Sequence, residues 1–544
     1  MRELLLLFIL FYDMVFSQTD TAIVLPEVNI ADKQFQKIFQ GVKVVRFDSL
    51  YHIASSDLNI GDVLSQKGFS FVKSYGPMQL QTISIGGASA AQTVICWEGI
   101  PFNDIMLGST DLSLVPFSFF NTMTLYQGGT SILSGGNSLG GAVNLVNKPK
   151  FKKHMKMQAG INYLSLDNFT YTGGFDYSDS KYFSRTSLSY FAGNNNMYYF
   201  KEDKKILLPH ADYTGISLIT SNAFKLTTNQ TIRIDLWYQK YFRNIPPSEY
   251  EAMSDAFQFD EQSRGLFLWQ RQGKASETEI KSAFFKSFMW YNDSLKDINS
   301  RNTTTTFFLQ TYNSWRLKKY RKLFVRGEWN YAVAETNNYL GNKYRRTFSI
   351  VSGLSQNLLK NRWKNTLSIR WESVSNYLIP PVFSYGTQIM LSPVLTGKVN
   401  ISKNYKLPSF NDLYWYPMGN KNLKSENGWS YQGGFQYTFS RKKWLTKFET
   451  MGFYNHIFDM IVWKPQTATY WSPVNIGKVK TYGNILDCSF VYRHKIWFVR
   501  IDADYTYTET KNDDEDDINY GNELIYVPKN KANINIFFSY GSFL

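Results

Sequence analysis

The chain has 544 residues, 59 of them basic and 44 acidic, for a net charge of +15. The basic residues are scattered over turn-like stretches such as 318–322 and 441–443 and form no recognisable nucleic-acid module, which argues against nucleic acid as partner and for loop and rim positions near lipid or lipopolysaccharide headgroups. Aromatics make up 17% of the chain while the mean hydropathy is slightly polar; a membrane β-barrel with interfacial girdles and a large secreted β protein with aromatic binding faces both fit that combination.

The N-terminus supplies the compartment. Arg2, the apolar run 4–12 and Val15-Phe16-Ser17 form the pattern of a secretory signal peptide with cleavage after Ser17, although Glu3 and Asp13 are unusual in one. No other stretch reaches the roughly 18 apolar residues of a spanning helix. Next comes Ile23-Val24-Leu25-Pro26-Glu27-Val28, continuing to Ile30, an extended and partly alternating peptide of the kind that adds as a strand to a partner's sheet edge. An ordinary first strand is the alternative reading of the same residues. Ser74-Tyr75-Gly76-Pro77-Met78-Gln79-Leu80 is a loop broken at Gly76-Pro77.

From Thr82 to Asn147, short apolar strands are punctuated by glycine pairs at Gly86-Gly87, Gly128-Gly129, Gly135-Gly136 and Gly140-Gly141. Such pairs permit positive φ and close backbone approach, as suits a small domain packed inside something larger. Cys96 falls in the apolar strand 94–97 and reads as a packing residue. The order of pieces is an Ile-x-Gly strand end, Val94 to Asn103 ending in Gly-Ile-Pro-Phe-Asn, then Asp111-Leu-Ser-x-x-Pro116, a strand ending at Gly128-Gly129, and finally Gly136 to Asn144. That order resembles the plug domain of TonB-dependent outer-membrane receptors, and Asn59 to Val72 resembles that domain's short helix followed by a strand.

Beyond about residue 150 the pattern changes to period two. Ile232, Ile234, Leu236 and Tyr238 alternate with Thr231, Arg233, Asp235 and Gln239, and Val499, Ile501, Ala503, Tyr505 and Tyr507 alternate with Arg500, Asp502, Asp504, Thr506 and Thr508. Many such one-sided strands cannot form an open sheet in lipid, because each edge would leave backbone groups unpaired in hydrocarbon, so they close into a barrel. Roughly eighteen such segments can be counted. Residues 405–437 and 454–485 resemble later barrel stretches of the same receptors, the second in their cobalamin-receptor-like branch.

The resemblance implies an all-β membrane barrel of the 22-stranded type holding an N-terminal α+β plug domain in its lumen. It divides the chain into a signal peptide at 1–17, an N-terminal segment at 18–50, the plug at 51–149 and the barrel at 150–544. It also places the end of this chain about four strands short of that type; a smaller complete barrel of even strand number is the alternative. The implied function is TonB-dependent uptake of a scarce nutrient, cobalamin-like or an iron complex, across the outer membrane of a Gram-negative bacterium. The alternative is a surface binding or adhesion barrel without energised transport. Implied partners are a TonB-type energy-transducing protein engaging Ile23, Val24, Leu25, Pro26, Glu27 and Val28, outer-membrane lipid and lipopolysaccharide, the small nutrient ligand, and a surface lipoprotein.

Ligand contacts carried over by motif position are Ser74, Tyr75, Gly76, Met78 and Gln79 on one outward plug loop and Asn103, Asp104 and Met106 on another; packing against the barrel wall is the alternative role for each. The family's charged plug positions are occupied here by Gly86, Asn121, Thr122, Met123, Thr124 and Gln127, which implies an altered link between plug and barrel. No catalytic set, cofactor or resident metal is expected. The five histidines share no metal-ligand spacing, and the stretch 135–141 lacks the Lys and Ser/Thr of a phosphate loop. The acidic run 513–517 leaves two readings, a Ca²⁺ loop using Asp513, Asp514 and Asp516 or a solvated turn.

Overall fold

The computed structural model describes residues 38–541 apart from 202, 249, 376, 378, 466–469, 518 and 525–526. The signal-peptide segment and Ile23 to Val28 therefore lie outside the described residues. The chain first forms β1 (Val44–Phe47), helices α1 (Ser49–Ala54) and α2 (Ile60–Gln66), and a hairpin of β2 (Ser70–Ser74) with β3 (Gln81–Ile85). Then follow β4 (Thr93–Trp97), β5 (Ile100–Pro101), β6 (Thr122–Gln127), the short α3 (Ser131–Ser134) and β7 (Gly141–Val146). The starts of α1 and α2 are capped locally: Asp48 accepts the Leu50 N–H at 3.1 Å and Asn59 accepts the Asp62 N–H at 2.9 Å. The expected helix-then-strand between 60 and 72 is α2 followed by β2.

Five of these strands make one mixed sheet in the order β1-β6-β7-β4-β5, with β4 and β7 parallel and the other neighbours antiparallel. Every residue of β4 and β7 is buried. An open sheet achieves this only when both faces are covered. Here one hydrophobic cluster runs from Trp97, Phe119 and Phe120 of this domain into Trp237, Leu266 and Phe308 of the surrounding wall. Two glycines show how close the approach is. Gly87 has φ +75°, and a Cβ there would stand 2.5 Å from the methyl carbons of Thr481 and Thr510; at Gly128, φ +78°, it would stand 1.9 Å from Gln432 Nε2.

The wall is a single antiparallel barrel sheet of 18 strands. It begins with β8 (His154–Leu164), β9 (Asn168–Ser178) and β10 (Tyr182–Gly193) and ends with Asn530–Tyr540; β8 pairs with β9, and the last strand pairs with Trp497–Asn512. β8 is exposed along nearly its whole length. On other strands the alternation read from the sequence is present but points outward. Arg233, Asp235, Trp237, Gln239 and Arg243 are buried toward the plug, whereas Ile234, Leu236 and Tyr238 are exposed; Asp502, Asp504 and Thr506 are buried while Tyr505 is exposed. A greasy outside and a polar, filled inside is the arrangement lipid demands. No helix among the described residues is long and apolar enough to cross a membrane.

Connections alternate in length around the barrel. Turns at 228–229, 319–320, 442–443 and 495–496 close one end, and loops at 194–212, 245–256, 407–425 and 513–529 crown the other. Short turns face the periplasm and long loops the exterior in barrels of this kind. Trp315, Trp444, Trp497 and Tyr540 are exposed close to the short-turn end, as members of an aromatic belt. Cys96 is fully buried in β4.

Candidate functional site

Both plug loops singled out in the sequence sit at the long-loop end, and the structure divides their residues by role. Tyr75 is exposed at the rim and Ser74 closes β2 beside it. Met78 is buried among Leu114, Phe191, Tyr213 and Tyr241, and its carbonyl accepts from Arg243 Nη1 at 3.1 Å. Gln79 donates to the Asn244 carbonyl at 3.0 Å, and Asn195 donates to the Pro77 carbonyl at 2.9 Å. A Cβ on Gly76 would touch Met197 at 3.5 Å. This loop is thus fastened to the wall, with Tyr75 left to face outward.

The second loop is self-braced. Asn103 accepts the Ile95 N–H at 2.8 Å and donates to the carbonyls of Thr93 and Gly108 at 2.9 and 3.1 Å, using its side chain to hold the turn onto β4. Asp104 accepts the N–H groups of Met106 and Leu107 at 2.7 and 2.9 Å, yet burial outweighs those bonds and pushes its carboxyl above the usual range. The loop 407–425, with its helix α4 (Phe410–Tyr414), folds inward over this turn: Phe410 N–H reaches the Ile105 carbonyl and Asn411 N–H the Met106 carbonyl, both at 3.0 Å. Met106 is consequently buried with Ala334, Tyr339 and Phe410.

Between these loops and the wall lies a cavity of about 430 Å³ that runs from the long-loop end down beside the plug. Its plug side includes Asn103, Asp104, Leu107 and Asp111, and its wall side includes Arg243, Asp260, Arg264, Arg345, Glu328 and Arg370. Of the eight residues expected from the sequence, Asn103 and Asp104 line it. Met78, Gln79 and Met106 are spent on packing. The wall arginines were missed because each is one polar residue in an ordinary alternating strand, with nothing local to mark it.

The link between plug and barrel is also built from residues the sequence did not single out. Lys43, almost fully buried, places Nζ 3.1 Å from both Glu449 and Asp487, and Lys398 also reaches Glu449 at 2.7 Å. Burial opposes the Lys43 charge, but the two carboxylates outweigh it and raise its pKa. Lys67 pairs with Asp502 at 2.7 Å, the Tyr51 hydroxyl donates to the same carboxylate at 3.0 Å, and Asp48 pairs with Arg500. Glu98 pairs with Arg233 close to the short-turn end and Asp111 with Arg243 close to the long-loop end, each at 2.7 Å. The inner domain is thus ion-paired to the wall through Lys43, Asp48, Lys67, Glu98 and Asp111.

Two titratable features deserve separate placement. His52 on α1 stacks on Phe117 at 4.1 Å with rings 6° apart, and its Nε2 has no hydrogen-bond partner. Burial first and the Arg185 charge second push its pKa down to about 3. Because the folded value lies below the unfolded one, the unfolded chain binds the extra proton between about pH 6.5 and 3, and stability contributed by neutral His52 is lost as pH falls through that window. Plug docking, read by protease resistance, is expected to weaken by up to about 1.4 kcal/mol per pH unit there, and His52→Gln to flatten the profile; an unchanged profile refutes this. In the acidic run, Asp513 pairs with Lys480 and Asp517 with Lys464, each at 2.7 Å, while Asp514 accepts the Gly477 N–H and Asp516 is exposed. Among the described residues no three His, Cys, Asp or Glu side chains converge as a metal site.

Comparison with known proteins agrees with this architecture. Residues 41–142 match the TonB-dependent Receptor Plug Domain and residues 134–544 the TonB dependent receptor-like, beta-barrel family. The chain is 22% identical over 544 residues to a protein of Photobacterium profundum named Vitamin B12 transporter BtuB, covering 93% of this chain and 81% of that one. It is 22% identical over 469 residues to the protein of the same name from Vibrio vulnificus, covering 81% and 70%. Among solved structures, the siderophore receptor PirA from Acinetobacter baumannii superposes with a TM-score of 0.73 at 15% identity, covering 95% of this chain and 86% of that one. With a plug held inside an outward-greasy barrel and family matches across almost its whole length, the chain belongs to the TonB-dependent receptors of the bacterial outer membrane.

Proposed function

We propose that this receptor captures a small nutrient at the long-loop end and carries it inward when a TonB-type protein pulls on Ile23 to Val28. The observation that supports this most is the cavity beside the plug, open toward the exterior loops and floored by a domain that is ion-paired to the wall rather than covalently closed. A pull applied upstream of Ile38 reaches Lys43 and its carboxylates before the plug sheet. Relatives named as vitamin B12 transporters favour a cobalamin-like cargo, and the fold shared with siderophore receptors keeps an iron complex as the second candidate. Lipopolysaccharide around the exposed belt and a surface lipoprotein at the long loops complete the proposed surroundings.

Deleting Ile23 to Val28 is expected to abolish uptake while leaving surface binding of the same nutrient intact. The measurement is growth of a receptor-null host carrying the gene, on limiting cobalamin and separately on limiting iron complexes, alongside binding to whole cells. Surface binding without uptake even in the intact chain would favour a binding or adhesion barrel. Growth on neither nutrient would reject the cargo and leave the fold untouched.

A further inference from the structure

Four arginines line the cavity, and two are already paired: Arg243 with Asp111 at 2.7 Å, and Arg370 with Glu328 and Glu372 at 2.7 and 2.5 Å. Arg264 and Arg345 are different. Both are more than nine-tenths buried, and neither has a carboxylate at ion-pair distance among the described residues. Arg264 lies with its guanidinium carbon 4.1 Å from the Trp237 ring centre and 5.1 Å from that of Phe102. It donates to Gln239 Oε1 at 3.2 Å and to Gln262 Oε1. Arg345 lies 4.9 Å over the Phe410 ring and donates to the Pro408 carbonyl at 2.7 Å. These bonds use only part of the five N–H groups of each guanidinium.

A buried cation without an anion is costly, and a guanidinium held over an aromatic ring with N–H groups to spare can still make a two-pronged contact with a carboxylate or phosphate. The two positions are also ordered along the cavity. Arg345 is near the long-loop start of the strand Lys343–Leu358, and Arg264 is midway down Phe257–Gln272. Thr304, Thr306 and Thr347 supply hydroxyls along the wall of the same cavity, whose size is in the range of small-molecule sites.

We propose that this cavity takes a polar cargo bearing carboxylate or phosphate groups, met first by Arg345 and held deeper by Arg264. The proposal rests on the uptake reading for the position of the cavity, and it narrows the cargo to an anionic one. Binding is measured on the purified full chain in detergent, by calorimetry and by the emission difference between the wild type and Trp237→Phe, so it is independent of the N-terminal segment and of energy. The probes are citrate and inorganic phosphate, with neutral triethyl citrate as control. Saturable binding of an anionic probe is expected, weakened roughly tenfold or more by Arg264→Gln and by Arg345→Gln, with the lysine variants intermediate. The lysine variants keep the test valid if a glutamine variant fails to fold. Absence of saturable binding by both anions, equal binding of the triethyl ester, or unchanged affinity in the folded variants overturns the proposal. Loss of uptake on deleting Ile23 to Val28 with no anion binding would reject this inference alone, and the converse would reject only energised transport.

Discussion

Replacing Lys43 by Met is expected to loosen the plug from the barrel by about 3–5 kcal/mol, because it strips the cation from a buried pair of carboxylates. Glu449 would keep Lys398 at 2.7 Å, so Asp487 bears most of the loss. The barrel itself is unaffected, since its strands are held by ladders that do not involve Lys43. The result should appear as faster protease cleavage of the plug in the intact barrel and as increased passive entry of small hydrophilic antibiotics. Adding Asp487→Asn to the Lys43 variant should restore part of the resistance, because a neutral amide tolerates the vacated site better than an orphaned charge. Wild-type permeability and protease resistance in Lys43→Met would show that the pair contributes nothing to docking.

Trp237→Ala should be nearly as damaging, through packing rather than charge. The indole projects from the wall into the plug, with ring centres 5.6 Å from Trp97, 5.8 Å from Phe102, 6.3 Å from Phe119 and 5.6 Å from Phe120. Truncation leaves a cavity at the junction of plug and barrel, costing about 3–5 kcal/mol. Near-ultraviolet circular dichroism should lose aromatic signal while the far-ultraviolet β signal is retained. Trp237→Phe should recover most of the docking. A protease profile for Trp237→Ala matching the wild type would mean that the hub closes over the gap.

How far the sequence could be read depended on whether the determining interaction was local. The glycine pairs and motif order from Thr82 to Asn147 located the plug because close approach and positive φ leave their mark at the residue itself, as Gly87 and Gly128 show. The alternation of Ile234, Leu236 and Tyr238 located the barrel wall for the same reason, and reading which side was greasy required only the demand of lipid. The loop residues were harder to assign. Asn103 and Asp104 line the cavity while bracing their own turn, and Met78 is buried against Tyr241, arrangements that no local pattern in the loops specifies.

The sequence by itself determined the elements and their faces: a glycine-framed domain, and one-sided strands that can be stable only when closed. Tertiary structure alone decided the partnerships. Lys43 meets Glu449 across 406 positions and Lys67 meets Asp502 across 435, and the cavity gathers Arg264 and Arg345 from separate strands around the plug. Each of those residues is an unremarkable charge in its own segment. Its role arises only when the barrel curves around the plug, removes water, and leaves every buried charge either matched by a partner or facing the cavity without one.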